Sequence, residues 1–332
     1  MRHAAERNTC YHNLIFFLIL LIGLAGCAPR LFKGSSDPLR EFTLEGKGDG
    51  KVLLIPLRGA VSTRPDEGMF RTKPSMVQEV VSHLRKAQKD PSIKAVLLEI
   101  ESPGGSVTAS DVLYHELEKY KEKSGAKMVT LMMSTAASGG YYVALASDRI
   151  IAHPMTLTGS VGTIFVRPNA TRLMEKVGLE AEITKSGKYK DMASPFRDIQ
   201  PEEKEIIRAM IEDLNSRFLE LAAKKRGLKD EQYRNVATAR IFTAAQAVEA
   251  GLVDSIGYMD DALREAKNLS GLPEDAKVVV YRRTQFPDDN PYNPITMEGS
   301  GQIPGLIQMP LSEFLTMPGA GFYYLWAPEY ER

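Results

Sequence analysis

The chain has 332 residues, 43% hydrophobic and 25% charged, with 42 Lys and Arg balanced by 42 Asp and Glu. That length suits one large domain or two small ones and can bury a substantial core. A net charge of zero gives no support for a nucleic-acid partner.

The N-terminus carries Arg2 and Arg7, then an unbroken apolar run from Leu14 to Gly26. Thirteen residues are short of the ~20 that a membrane span needs, and they fit the hydrophobic region of a secretory signal. The run ends in "LAGC", Leu24 to Cys27, which resembles the bacterial lipoprotein box, whose cysteine is acylated after cleavage. An uncleaved single-pass anchor is the alternative. With residues 1–26 removed, Cys10 goes too, and Cys27 is left as the only cysteine, occupied by lipid. An internal disulfide framework is thereby excluded. Ala28 after the cysteine, in place of Asp, points to the outer rather than the inner membrane, with the chain facing the periplasm. Residues 27–50, rich in Gly, Pro, Ser and charge, read as a tether.

From Lys51 onward strand-like and helix-like segments alternate. "KVLLIPL" (Lys51–Leu57) is a buried strand by its continuous apolar run. Pro74 and Ser75 start a helix with Met76, Val80, Val81 and Leu84 on one face. "KAVLLEI" is a strand, "TASDVLYHELEKYKEKSG" a helix closed by Gly125, and "KMVTLMM" a strand. After Ser138 come a helix, the short strand "RIIAHP", and the long helix "PEEKEIIRAMIEDLNSRFLELAAKKRG". In that helix Ile207, Met210, Ile211, Leu214, Phe218 and Leu221 form one stripe. Such alternation predicts α/β architecture with mostly parallel pairing. Residues 284–332 hold seven prolines and isolated aromatics without any period. They read as an extended arm that packs on a neighbouring subunit or lies on the membrane.

Two glycine-rich turns, "ESPGGSV" (Glu101–Val107) and "STAASGG" (Ser134–Gly140), each follow an apolar strand. The carboxyl ends of parallel strands are where α/β sheets bind ligands, so both turns face one crevice. Ser138 lies inside the second turn between alanines and glycines. Small residues there either serve a tight turn or let a ligand approach the hydroxyl. A serine becomes a nucleophile only when a base takes its proton. After residue 27 the histidines are His83 and His115, both in amphipathic helices, and His153 at a strand end. A lysine is the other base, provided that burial or cationic neighbours lower its pKa from ~10.4. "TKSGKYKDMASPFR" (Thr184–Arg197) offers Lys185, Lys188 and Lys190, and composition does not choose among them.

Five motifs in order, "ESPGGSV", "AASGGYY", "TLTGSVG" (Thr156–Gly162), "KSGKYKD" (Lys185–Asp191) and "RIFTAAQAVEAGLVDSIG" (Arg240–Gly257), resemble the signal peptide peptidase A family in its short, single-repeat form. The resemblance spans Lys51 to Arg283. It implies a serine–lysine peptidase of ClpP/crotonase-like fold, with stacked parallel sheets and surrounding helices over residues 51–283. It assigns Ser138 as nucleophile, Lys190 as general base, Gly105 and Gly139 as oxyanion-hole amides, and Ser160 as the hydroxyl that positions the lysine. It implies no cofactor and no metal. The implied partners are cleaved signal peptides or other membrane-derived peptides, a membrane held through lipidated Cys27, and further copies of the chain in a ring. Two rivals stand beside it: a crotonase-type acyl-thioester enzyme, which needs a coenzyme A pocket and a cytoplasmic address, and a lipoprotein scaffold whose serine is silent.

Overall fold

The computed structural model describes residues 38–67, 72–283, 291 and 321–326. The signal segment, Cys27, and the expected C-terminal arm apart from residues 291 and 321–326 lie outside the described residues.

The strands are β1 (Arg40–Glu45), β2 (Gly48–Arg58), β3 (Asp66–Glu67), β4 (Thr72–Lys73), β5 (Ile93–Ser102), β6 (Gly104–Ser106), β7 (Lys127–Ala137), β8 (Arg149–Ala152), β9 (Leu157–Gly159), β10 (Ile164–Val166), β11 (Ile241–Thr243), β12 (Ser255–Ile256), β13 (Ala276–Arg282) and β14 (Gly321–Leu325). The helices are α1 (Met76–Ala87), α2 (Val107–Ser124), α3 (Gly139–Ala144), α4 (Thr171–Val177), α5 (Pro201–Arg226), α6 (Asp230–Val236), α7 (Ala244–Glu249) and α8 (Met259–Ser270).

A nine-stranded sheet runs in the order β1-β13-β2-β5-β7-β8-β12, with β9 paired to β7 and β11 to β9. The pairs from β13 to β12 along this path are parallel, as is β7 with β9. The α/β class read from the alternation is the one the chain adopts. Unbroken apolar runs make these strands because both faces are covered. Leu53, Ile55, Val96, Leu98 and Ile100 point to a core shared with α1, α2 and α3. Their neighbours Val52, Leu54, Ala95, Leu97, Val129 and Leu131 point the other way, onto Met259, Ala262, Leu263 and Ala266 of α8. The helix ends follow local chemistry. The Ser75 and Ser106 side chains accept from Gln78 N–H and Ala109 N–H, each at 3.2 Å. Gly125 ends α2 in the left-handed region at φ 69°.

Two stretches differ from expectation. β1, inside the expected tether, pairs antiparallel with β13 at the sheet edge. Phe42 and Leu44 in "REFTLE" alternate with polar residues, a period-two signal hidden by the charge around it. The aperiodic C-terminal stretch supplies β14, which joins β6 and β10 in a three-stranded antiparallel sheet. Among the described residues, no helix is long and apolar enough to cross a membrane.

Candidate active site

Ser138 stands where β7 gives way to α3, with φ 52° and ψ −115°. That conformation costs a side-chain-bearing residue about 1–3 kcal/mol and persists only where the surroundings enforce it. Here Ser138 N–H donates to Gly159 O and Tyr142 N–H donates to Ser138 O, both at 2.8 Å. Ala136 and Ala137 before it are fully buried. Ser160 leaves the adjacent strand β9 with φ 50°, and Ala137 is in register with Gly159, so the two serines emerge side by side. Ser160 N–H is fixed on Arg240 O at 2.9 Å.

The "SPGG" turn at the end of β5 is held by Ser102, whose Oγ accepts from Gly104 N–H at 3.1 Å. Val61 clamps its other side, donating to Gly104 O and accepting from Ser106 N–H. Each glycine has its own reason. Gly104 has φ 104°, and a Cβ there would stand 2.7 Å from Gly139 N; on Gly105 a Cβ would overlap Val61 O. A Cβ on Gly139 would collide with Ser110 Oγ, and that point is 3.1 Å from Gly105 N. The peptide amides of Gly105 and Gly139 therefore come together beside Ser138. Sequence reading singled out Gly105 and Gly139 but missed Gly104, Ser102 and Ser110. The doubled glycine in "PGG" is the trace it had of the first.

Ser138, Gly105, Gly139 and Ser160 are thus gathered, but Lys190 is not. Ser138 is fully buried and its Oγ has no hydrogen-bond partner among the described residues. Lys190 is exposed, in the segment 179–200 between α4 and α5. Of the three lysines there, Lys185 is paired with Asp191 at 2.7 Å and Lys188 lies 5.1 Å from the Tyr189 ring centre. Lys190 makes no ion pair among the described residues. The segment is pinned by Arg197, which bonds Asp191 at 2.8 Å and Glu203 at 2.5 Å. Hydrogen bonds from Arg197 and then Lys185 hold Asp191 well below the usual carboxylate range, and Arg197 brings Glu203 down to about 2. The histidines are elsewhere: His83 is fully buried against Tyr281, His115 is exposed, and His153 packs edge-on to Tyr258. Among the described residues no cluster of metal-ligating side chains occurs.

A buried serine on a strained strand end with two converging amides is the apparatus of acyl-transfer hydrolysis. Residues 120–273 match the model of peptidase family S49. A protein of Enterococcus faecium provisionally named signal peptide peptidase SppA is 36% identical over 253 residues, covering 76% of this chain and 73% of that one. A protein of Synechocystis sp. provisionally named a protease is 39% identical over 243 residues, covering 70% and 83%. Protease 4 of Haemophilus influenzae is 35% identical over 275 residues, covering 74% of this chain and 43% of that longer one. A ClpP1 mutant of Listeria monocytogenes superposes with a TM-score of 0.39 at 16% identity, covering 63% of this chain and 94% of that one. The chain belongs to peptidase family S49. It is a serine-type peptidase.

Proposed function

We propose that Ser138 is the nucleophile, that Lys190 of a neighbouring copy is its base, and that the substrates are membrane-derived peptides such as cleaved signal peptides. The carrying observation is the forced conformation of Ser138 beside the Gly105 and Gly139 amides. In this reading Ser138 Oγ attacks the scissile carbonyl as its proton passes to Lys190 Nζ. The two amides hold the oxyanion, and Lys190 returns the proton to the departing amine. Water then hydrolyses the acyl-serine, with the same amine as base. A lysine acts as base only where burial or nearby cations favour the neutral amine, and an exposed segment of a single chain offers little of either. Docking against a second copy supplies both burial and the missing contact, which favours a ring in which each site is completed by its neighbour. Ser160, next to Ser138, then orients the incoming amine. An acyl group on Cys27 of each subunit holds such a ring at the periplasmic face of the outer membrane, where several lipids bind far more firmly than one.

The test is peptide hydrolysis by the soluble form lacking residues 1–27. Ser138→Ala and Lys190→Ala are each expected to lose about 10³-fold or more in kcat/KM. Mixing the two inactive variants is expected to restore part of the activity, because mixed rings pair an intact serine with an intact lysine. Unchanged activity in both single variants would remove the dyad.

A further inference from the structure

β7 is bent just ahead of Ser138. Up to Met132 it runs in step with its neighbours, facing Ile100 of β5 on one side and Ala152 of β8 on the other. Beyond the bend Ala136 faces Ser102 of β5, and β7 pairs with β9 in place of β8. β7 thus advances four residues, from Met132 to Ala136, while β5 advances two, from Ile100 to Ser102. Extra residues in one strand make a bulge, and a bulge re-aims whatever follows it. Here the re-aimed end carries Ala136, Ala137 and Ser138.

The bend is fastened on both flanks. On one, the buried Thr156 hydroxyl is shared between Met132 O at 2.9 Å and Met133 O at 2.6 Å, and His153 N–H donates to Met132 O at 2.9 Å. On the other, the Ser134 hydroxyl donates to one oxygen of Glu101, and Arg58 of β2 donates to the second oxygen at 2.5 Å. Arg58 also donates to Glu99. One chain of side chains therefore ties β2, β5 and β7 together four residues before the serine. Glu99 is fully buried, and its Oε2 has no hydrogen-bond partner among the described residues. The charged groups that act on it are Arg58 and Glu101. α8 packs on this face of the sheet with Met259, Ala262, Leu263 and Ala266, none of them charged.

Resting on the reading of Ser138 as nucleophile, we infer that Ser134, Glu101 and Arg58 form a lock on the bulge of β7 that positions the nucleophile, and that Glu99 sets how firmly the lock closes. These are positioning residues, acting on Ser138 through the strand that carries it. A displacement of about 1 Å at a reacting group costs as much as a hundredfold in rate, so the aim of β7 matters. With its carboxyl neutral, Glu99 leaves the Arg58 charge to Glu101. Once ionised, Glu99 draws on the same guanidinium and repels Glu101, which loosens the hold on Ser134. Burial raises the Glu99 carboxyl to about 7. The neutral form prevails below that value, so the lock is tight in mild acid and loosens as pH rises through 7.

The test compares Ser134→Ala, which removes the hydroxyl at an exposed position, with Ser134→Thr, which keeps it. Peptide hydrolysis is measured beside labelling of Ser138 by a fluorophosphonate, which loses fluoride as the serine oxygen bonds phosphorus. Ser134→Ala is expected to lower both kcat and the labelling rate at least about fivefold, with KM within about twofold of the parent value. Ser134→Thr is expected to recover most of that loss. In a pH series from 6 to 8, the ratio of kcat for Glu99→Gln to kcat for the unaltered chain is expected to rise at least about threefold. The titration of Lys190 is common to both chains and cancels in that ratio. A lowered melting temperature with kcat and labelling retained in Ser134→Ala overturns the lock, as does a failure of Ser134→Thr to recover activity. A flat ratio overturns the part given to Glu99. Should Ser134→Ala not fold, Glu101→Gln, which keeps an acceptor for Ser134 without the charge for Arg58, is read by the same measures. If the unaltered chain hydrolyses peptides and is not labelled at Ser138, the nucleophile reading fails instead.

Discussion

Ser138 is held in a left-handed conformation and its glycine neighbours have no room for a side chain, so the cost of touching them can be stated. Alanine at Gly139 would drive its Cβ into Ser110 Oγ, a buried atom already bonded to Ser106 O at 3.0 Å. Gly139→Ala is expected to lower stability by about 1–3 kcal/mol and kcat/KM by about a hundredfold. Adding Ser110→Ala is expected to recover stability more than activity, as melting temperature and hydrolysis measured together would show. Close to the glycine turn that follows β5, Arg58 bridges Glu99 and Glu101, and Ser134 donates to Glu101. Burial pushes the fully covered Glu99 carboxyl up to about 7, with Arg58 opposing and Glu101 reinforcing the rise. A pKa above the ordinary 4.5 gives stability that is complete below pH 4.5 and is lost as pH rises through 7. Glu99→Gln, a mimic of the neutral acid, is expected to match the parent at pH 5 and to exceed it at pH 8 by on the order of 1–3 kcal/mol. Denaturant unfolding at the two pH values checks both the sign and the size.

Among the elements, the segment 179–200 is held mainly by charge. Arg197 ties Asp191, the residue after Lys190, to Glu203 at the start of α5, and Arg167 bonds the carbonyl of Arg197 at 3.0 Å. Little apolar surface is buried there, so Arg197→Ala is expected to shift the melting temperature by only a few degrees. Freed of its clamp, the segment should be cut faster by trypsin, and kcat/KM should fall at least about tenfold through misplacement of Lys190. A large loss of stability with normal activity would show that the clamp serves the fold alone.

At the scale of the whole molecule, one region exposes more apolar surface than a lone subunit explains. Leu173 is 64% exposed and Val177 66% on α4, and Leu179 is 60% and Phe196 51% exposed in the following segment that carries Lys190. In the proposed ring such a cluster of exposed apolar residues would be the contact between copies. Leu173→Asp with Val177→Asp is expected to yield a folded, smaller and inactive species, read by light scattering and circular dichroism. A ring of unchanged size would place the contact elsewhere. The sequence by itself determined the α/β class, the helix ends and the two glycine turns, because apolar period and capping chemistry are local properties of the chain. Small residues around its backbone pointed to Ser138, whereas Gly105, Gly139 and Ser160 came from the family resemblance of their motifs. Sequence reading missed β1, whose alternation is diluted by charge, and β14, whose aromatics gain a period only against β6 and β10. Tertiary structure alone decided that Gly104 shapes the turn and that Lys190 stands apart from Ser138. Each of those facts is a meeting of residues distant along the chain, and such meetings are set by packing, which no local pattern encodes.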